Sequence, residues 1–284
     1  METERLAVRK TYKLFIAGAF PRSESGRSYE VRDAKGKFLA NAARASRKDV
    51  RDAVAAARKA FGGWSGRTPY NRGQILYRIA EMMEGRRGQF VDEVRAGGSG
   101  KAAAEAEVDA AIDRWVWYAG WADKIAAVTG SANPVAGPFF NFSTPEPTGV
   151  VGIVAPDSPL LGLVSVVAPA VVTGNTCVVL AAQPLVAITL AEVLATSDLP
   201  GGVVNILTGD RAELAPWLAS HMDVNAIDLA GTPEELAAAC AEAAAENLKR
   251  VLRPAAATDW TADPGTARLT AFLETKTVWH PVGI

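Results

Sequence analysis

Apolar and polar residues repeat with a helical period over much of the first half of the chain. Ser46 and Asp49 have the spacing of a capping box, and the apolar residues after them recur every three or four positions, which predicts a helix. Further helices are predicted after Pro69 and over about residues 103–127. Two strands are predicted before these helices, at residues 14–18 and 28–31.

The period changes in the second half of the chain. Short apolar runs rich in β-branched residues alternate there with helical stretches. Strands that are apolar on both faces and alternate with helices are typical of a parallel sheet covered on both sides. The predicted fold class is therefore α/β, a doubly wound Rossmann-like parallel sheet with helices before it, and a ligand would bind outside the carboxyl ends of the strands. The predicted strands are 150–155, 177–181, 203–208, 226–230 and 248–252.

Composition excludes several classes of protein. The 284 residues carry a formal net charge of −1, without a basic stripe or a polybasic flank, which argues against nucleic-acid and membrane partners. The longest apolar run, 159–172, is too short to span a bilayer. Two cysteines and two histidines do not assemble a metal-ligand cluster, so no metal site is predicted. Without an apolar signal region near Met1, a cytoplasmic location is expected.

Several short stretches occur in an order that points to one enzyme family. Through them the chain resembles the aldehyde dehydrogenases over about residues 12–251. This resemblance implies the family's cofactor-binding domain followed by its C-terminal strand, with the catalytic domain absent. The stretches include Phe15-Ile16-Ala17-Gly18, Pro147-Thr148-Gly149, Gly174-Asn175-Thr176 and Leu199-Pro200-Gly201-Gly202.

The catalytic groups that this resemblance leads one to expect are missing. The family has an asparagine that donates to the reaction's oxyanion, whereas this chain has Asp157, whose carboxylate would repel it. Asp157 and Ser158 are instead predicted to cap the helix that follows. The position of the general-base glutamate falls on 252–254, which has no carboxylate. Cys177 and Cys240 are predicted to be buried in a strand and a helix, so no catalytic residue is assigned.

The cofactor site implied by the resemblance is altered. Leu180 and Gln183 take the positions of the lysine and glutamate that hold the adenosine ribose in the family. The turn that approaches the pyrophosphate there becomes Gly231-Thr232-Pro233, in which proline lacks an N–H group. The predicted, vestigial cofactor-binding residues are therefore Gln183, Gly231 and Thr232. No cofactor is expected, and any NAD or NADP binding should be weak. As local structure, Thr232 is predicted to be a helix N-cap, with Pro233 as the first helical residue.

The resemblance also implies which segments contact other subunits. Segment 138–148 corresponds to the family's oligomerisation arm and 269–284 to its C-terminal oligomerisation strand. They flank a Rossmann-like part, 149–253, and a linker, 254–268, that replaces the catalytic domain; residues 1–137 form the N-terminal helical part. The predicted interface residues are Phe139, Phe140, Phe142, Leu273, Val278 and Trp279.

An unpaired C-terminal strand would expose backbone hydrogen-bonding groups. In the family this strand pairs with the sheet of a neighbour's catalytic domain, so a full-length aldehyde dehydrogenase subunit is the expected partner. The leading hypothesis is a non-catalytic subunit that supports or regulates a full-length NAD(P)-dependent aldehyde dehydrogenase. The alternatives are a nucleotide-binding sensor that retains weak NAD(P) binding, or an oxidoreductase that is active only with a partner.

Overall fold

The chain begins with a small three-stranded sheet in this computed structural model, which describes residues 9–254 and 258–283. Strands β1 (Thr11–Tyr12), β2 (Ser28–Arg32) and β3 (Phe38–Ala43) lie in the order β1-β3-β2. The strand predicted at 28–31 is confirmed. The strand predicted at 14–18 is wrong, because the chain turns there: Ala17 and Gly18 have φ angles of 55° and 79°. Only isolated bridges form in that segment.

Five helices follow this sheet. The capping box at Ser46 and Asp49 is confirmed, and it begins α1. The long helix predicted over 103–127 is divided in two, and Gly120, a poor helix former, lies beside the break. Helix α3, in which Phe90, Val91 and Val94 are buried, is not among the predicted helices. The helices are α1 (Arg47–Ser65), α2 (Pro69–Glu84), α3 (Arg87–Ala96), α4 (Lys101–Trp121) and α5 (Ile125–Thr129).

A parallel sheet organises the second half, as predicted. After β4 (Ser131–Asn133) and β5 (Phe139–Pro147), its strands are β6 (Val150–Val154), β7 (Thr176–Leu180), β8 (Val204–Leu207), β9 (Ala226–Asp228) and β10 (Arg250–Leu252). They alternate with α6 (Leu161–Val172), α7 (Pro184–Ala195), α8 (Arg211–Ser220) and α9 (Glu234–Ala245). The spatial order is β10-β9-β6-β7-β8. Helices α1, α8 and α9 cover one face, and α6 and α7 cover the other, with α2, α3 and α4 packed outside them.

The segment predicted to be a linker is packed against the parallel sheet where it is described. Helix α10 (Ala267–Ala271) contacts α6, and its Arg268 forms an ion pair with Asp228 at the end of β9. Arg114 of α4 donates to the carbonyl oxygens of Trp260 at 2.7 Å and Ala262 at 3.0 Å. Residues 255–257 lie outside the described part. The predicted strand from 269 therefore begins as a helix.

The last strand, β11 (Leu273–Pro281), pairs with the arm of its own chain. It lies antiparallel to β5, with Leu273 opposite Pro147 and Pro281 opposite Phe139, in a sheet of order β11-β5-β4. The tail thus has a pairing partner in its own chain, over nine residues, which the sequence analysis did not predict. Leu273, one of the predicted interface residues, is 9% exposed and packs in the chain's own core.

The ion pair between Asp228 and Arg268 generates a stability prediction. Asp228 is fully buried, and burial raises its pKa while the Arg268 guanidinium opposes that rise. Replacing Arg268 with alanine leaves a buried carboxylate without its partner, which should lower the free energy of unfolding by about 3–5 kcal/mol at neutral pH. Urea unfolding of the purified chain measures this loss.

The loss caused by Arg268→Ala should depend on pH. A carboxyl group whose pKa is raised on folding lowers stability as the pH rises through that pKa. The loss relative to the unsubstituted protein should therefore grow as the pH is raised, because only the ionised Asp228 carboxylate needs the Arg268 charge. Arg250→Ala is the control, because it breaks an exposed pair with Glu274 that is worth less than about 1 kcal/mol. Equal losses for both variants would contradict the prediction.

Candidate functional site

The topology of the parallel sheet identifies where a ligand would bind. Strand β6 lies at the centre with β7 on one side and β9 on the other, so the chain reverses its direction of winding between β6 and β9. In doubly wound sheets, ligands bind at this switch point, outside the carboxyl ends of the strands. The segment after β6 contains Ala155 and Asp157, and the segment after β9 contains Gly231 and Thr232.

Arg211, the first residue of α8, spans this crevice. Its Nη1 donates to the carbonyl oxygen of Ala155 at 2.6 Å and to that of Gly231 at 3.2 Å. Its Nη2 donates to the Asp157 carboxylate at 2.5 Å. A Cβ atom on Gly231 would lie 1.9 Å from the Ala155 oxygen, so the two loops touch and the second must have glycine there. The switch point is thus filled by the protein's own atoms.

The N-terminus of α6 is capped from another part of the chain. The prediction that Asp157 and Ser158 form the N-cap is wrong, because the N-cap residue is Leu160. The Ser158 hydroxyl does accept the N–H of Gly162 at 3.0 Å, and Asp157 pairs with Arg211. Glu107 of α4 accepts the N–H groups of Leu160 and Leu161 at 3.0 and 2.9 Å. The first N–H groups of a helix ordinarily bind anions, and here the Glu107 carboxylate takes that place. The sequence does not predict this role of Glu107, because no residue near α6 in the chain indicates that α4 packs there.

Gly231 and Thr232 lie together at the end of β9. The Thr232 hydroxyl donates to the carbonyl oxygen of Leu229 at 2.6 Å, and Thr232 is buried. Helix α9 begins at Glu234 with Pro233 before it, so the prediction that Thr232 is the N-cap is wrong. Its hydroxyl bonds backward to Leu229 and is turned away from the helix.

Gln183 and Leu180 lie at the end of a different strand, β7. Gln183 is exposed before α7, beside a small cavity of about 50 Å³ that also contains Glu93 and Pro159. Because β6 separates β7 from β9, the structure does not bring Gln183 next to Gly231. Leu180 is 1% exposed and packs into the core, so its side chain cannot reach a ligand.

Both thiols are buried. Cys177 lies inside β7 and Cys240 inside α9, which confirms their predicted positions. Burial raises the pKa of each thiol above its ordinary value, so the nucleophilic thiolate is disfavoured. Among residues 9–254 and 258–283, no three histidine, cysteine or acidic side chains lie together as a metal site. No helix in the same residues is long and apolar enough to cross a membrane.

The predicted interface residues lie on the sheet formed by β5 and β11. Phe139, Phe140 and Trp279 are 41%, 53% and 57% exposed, while Phe142 and Val278 are half-buried. The rings of Phe139 and Trp279 meet edge to face, with centroids 5.7 Å apart. Five of the six predicted residues are therefore at least partly accessible, and Leu273 is not.

The doubly wound parallel sheet and the separate β11-β5-β4 sheet together define a class of protein. Comparison with known proteins identifies that class. Residues 20–255 match the aldehyde dehydrogenase family. An aldehyde dehydrogenase of Alternaria alternata is 35% identical over 246 residues, which are 84% of this chain and 49% of that protein. The cytosolic 10-formyltetrahydrofolate dehydrogenase of Xenopus laevis is 35% identical over 263 residues, covering 88% of this chain and 29% of that protein.

Solved structures agree with this match. HpcC of Thermus thermophilus superimposes with a TM-score of 0.81 at 32% identity, covering 85% of this chain and 47% of that one. PnpE in complex with nicotinamide adenine dinucleotide gives a TM-score of 0.80 at 30% identity, with coverages of 84% and 50%. This chain therefore belongs to the aldehyde dehydrogenase family. It spans about half the length of the Alternaria relative and of both structures.

The cap on α6 can be tested by replacing Glu107 with alanine. The variant leaves the N–H groups of Leu160 and Leu161 without their acceptor, and loss of a helix cap lowers stability by about 0.5–2 kcal/mol. Urea unfolding should show this loss. Glu105→Ala is a matched control, since Glu105 lies on the same helix and only faces Lys101 at 3.9 Å. If the control loses as much stability as Glu107→Ala, Glu107 does not act as a cap.

Burial of the two thiols predicts their reactivity. In the native protein, neither Cys177 nor Cys240 should react with an aromatic disulfide reagent within the time in which a free thiol reacts fully. Both should react once urea unfolds the chain, and absorbance of the released thiolate counts them. Fast reaction of the folded chain would show that a cysteine is accessible.

Proposed function

We propose that this chain is a non-catalytic subunit that assembles with a full-length NAD(P)-dependent aldehyde dehydrogenase and supports or regulates it. The observation that carries the proposal is the open edge of β11. Within the described residues, β11 is bonded to β5 on one side only. An edge strand of nine residues offers backbone groups to a strand of another subunit.

Hydrogen bonds at both ends of the β5–β11 pair indicate which backbone groups face outward. The N–H of Thr148 donates to Phe272, and the N–H of Val282 donates to Pro138, at 3.1 and 2.8 Å. Bonded and non-bonded pairs alternate along an antiparallel ladder, so even-numbered residues of β11 bond to β5. The N–H and C=O groups of the odd-numbered residues, among them Thr275, then point to the open edge.

Side chains at the far end of this sheet favour a protein partner. The segments 134–145 and 277–283 contain no acidic or basic residue apart from His280, in a chain that is 21% charged. Exposed aromatic side chains and few charges are typical of the centre of a protein interface. The exposed large residues in these segments are Phe139, Phe140, Trp279 and Val282.

Two features support a non-catalytic role. The two thiols are buried, and acyl transfer through an enzyme thioester requires an accessible, activated one. Asp157 stands where the resemblance places an oxyanion donor, and its carboxylate is held by Arg211. A partner subunit would supply the chemistry.

Co-expression with a full-length aldehyde dehydrogenase from the same genome tests the proposal. The two chains should elute together in size-exclusion chromatography. Thr275→Pro removes an outward N–H group and should abolish co-elution, while proline is tolerated at such an edge position. The control is Ala132→Pro, which by the same alternation removes an outward N–H from β4, the opposite edge of the sheet. Circular dichroism would verify that both variants fold.

Two outcomes would contradict this proposal. In one, the unsubstituted chain elutes alone and well folded in the presence of the dehydrogenase. In the other, Thr275→Pro and Ala132→Pro co-elute with the dehydrogenase equally well, so the β11 edge is not the contact.

A further inference from the structure

We propose that this chain closes the ligand-binding edge of its parallel sheet with its own side chains, so that a dinucleotide pyrophosphate has no access to it. Arg211 fills the switch-point crevice, and Glu107 occupies the N-terminus of α6. Both positions in such a fold are ordinarily free for a ligand's phosphates.

Arg211 closes the crevice by binding three acceptors at once. Its guanidinium joins the loop after β6, through Ala155 and Asp157, to the loop after β9, through Gly231. Its side chain is 24% exposed, whereas that of Asp157 is 82% exposed and lies over it from outside. A ligand that displaced Arg211 would leave two carbonyl oxygens without this donor, and unsatisfied buried acceptors are unfavourable.

Charges around the crevice oppose recruitment of Arg211 by a pyrophosphate. Asp157 already neutralises the guanidinium, and Glu234 and Glu235 begin the helix beyond the crevice. Asp210 uses its own carboxylate to cap α8 immediately before Arg211. The one arginine of the crevice is thus paired with Asp157, and the starts of α8 and α9 add three more carboxylates, which disfavours an anionic ligand.

Glu107 occupies the second phosphate position, the N-terminus of α6, although it lies more than 50 residues away along the chain. Its Oε1 accepts from the N–H groups of Leu160 and Leu161 at the start of α6 and from the Ser158 hydroxyl, at 2.9–3.0 Å. A carboxylate at a helix N-terminus is stabilised by the same partial charges that attract a phosphate. A phosphate would have to displace it and leave Glu107 without its donors.

The first test is titration of the isolated chain with NAD⁺ and with NADP⁺ in a calorimeter. We expect no binding heat at millimolar nucleotide, and no rise in melting temperature, which a ligand of the native state would produce. Micromolar binding would overturn the inference. This experiment involves no partner, so its failure leaves the assembly proposal standing, and the reverse also holds.

The second test measures the closure itself by amide hydrogen exchange. Arg211→Ala should speed exchange in peptides that cover residues 229–232, which Arg211 ties down, by about tenfold or more, as a 1.4 kcal/mol change implies. Arg44→Ala is the matched control: it removes an arginine whose partner, Glu213, lies on the same helix as Arg211, and this pair is exposed. The control should leave the exchange unchanged.

Equal exchange in the Arg211 and Arg44 variants would overturn the inference. Should Arg211→Ala fail to fold, Arg211→Lys keeps the positive charge but cannot reproduce the planar guanidinium fork. It should speed exchange over 229–232 as well, and unchanged exchange in that variant would count against the closure.

Discussion

Helices cover both faces of the parallel sheet, and most of the structure depends on this constraint. All residues of β6 and β7 are buried, so neither face of the sheet is available to a ligand at these central strands. Polar backbone groups become accessible only where the strands end. The function of a doubly wound domain is therefore decided at its carboxyl edge, and in this chain Arg211 and Glu107 occupy that edge.

The two sheets of the second half have opposite properties at their edges. At the carboxyl edge of the parallel sheet, hydrogen bonds and ion pairs within the chain join the loops to one another. The pair of Arg268 with the buried Asp228 lies at the same edge, at the end of β9. The outer edge of β11 has unpaired backbone groups within the described residues, and exposed aromatic neighbours. This contrast between a closed edge and an open edge is the basis of the assembly proposal.

Local patterns predicted the elements well wherever a local signal exists. The capping box at Ser46 and the five strands of the parallel sheet were found, because periodicity and turn residues are properties of short segments. Helix α3, whose N-terminus has no side-chain cap, was not found. Thr232 is a residue type that often caps helices, but its hydroxyl donates to the carbonyl oxygen of Leu229, three residues earlier. Residues 14–18 have the composition of a strand, but two positive φ angles turn the chain.

The sequence by itself determined the α/β class, the family and the burial of both cysteines, because these follow from periodicity and from colinear motifs. Only the tertiary structure decided that Asp157 pairs with Arg211, that Glu107 caps α6, and that the tail pairs with the arm of its own chain. These contacts join residues 50 or more positions apart. Their existence depends on how the helices and strands pack, and packing leaves no local pattern in the sequence.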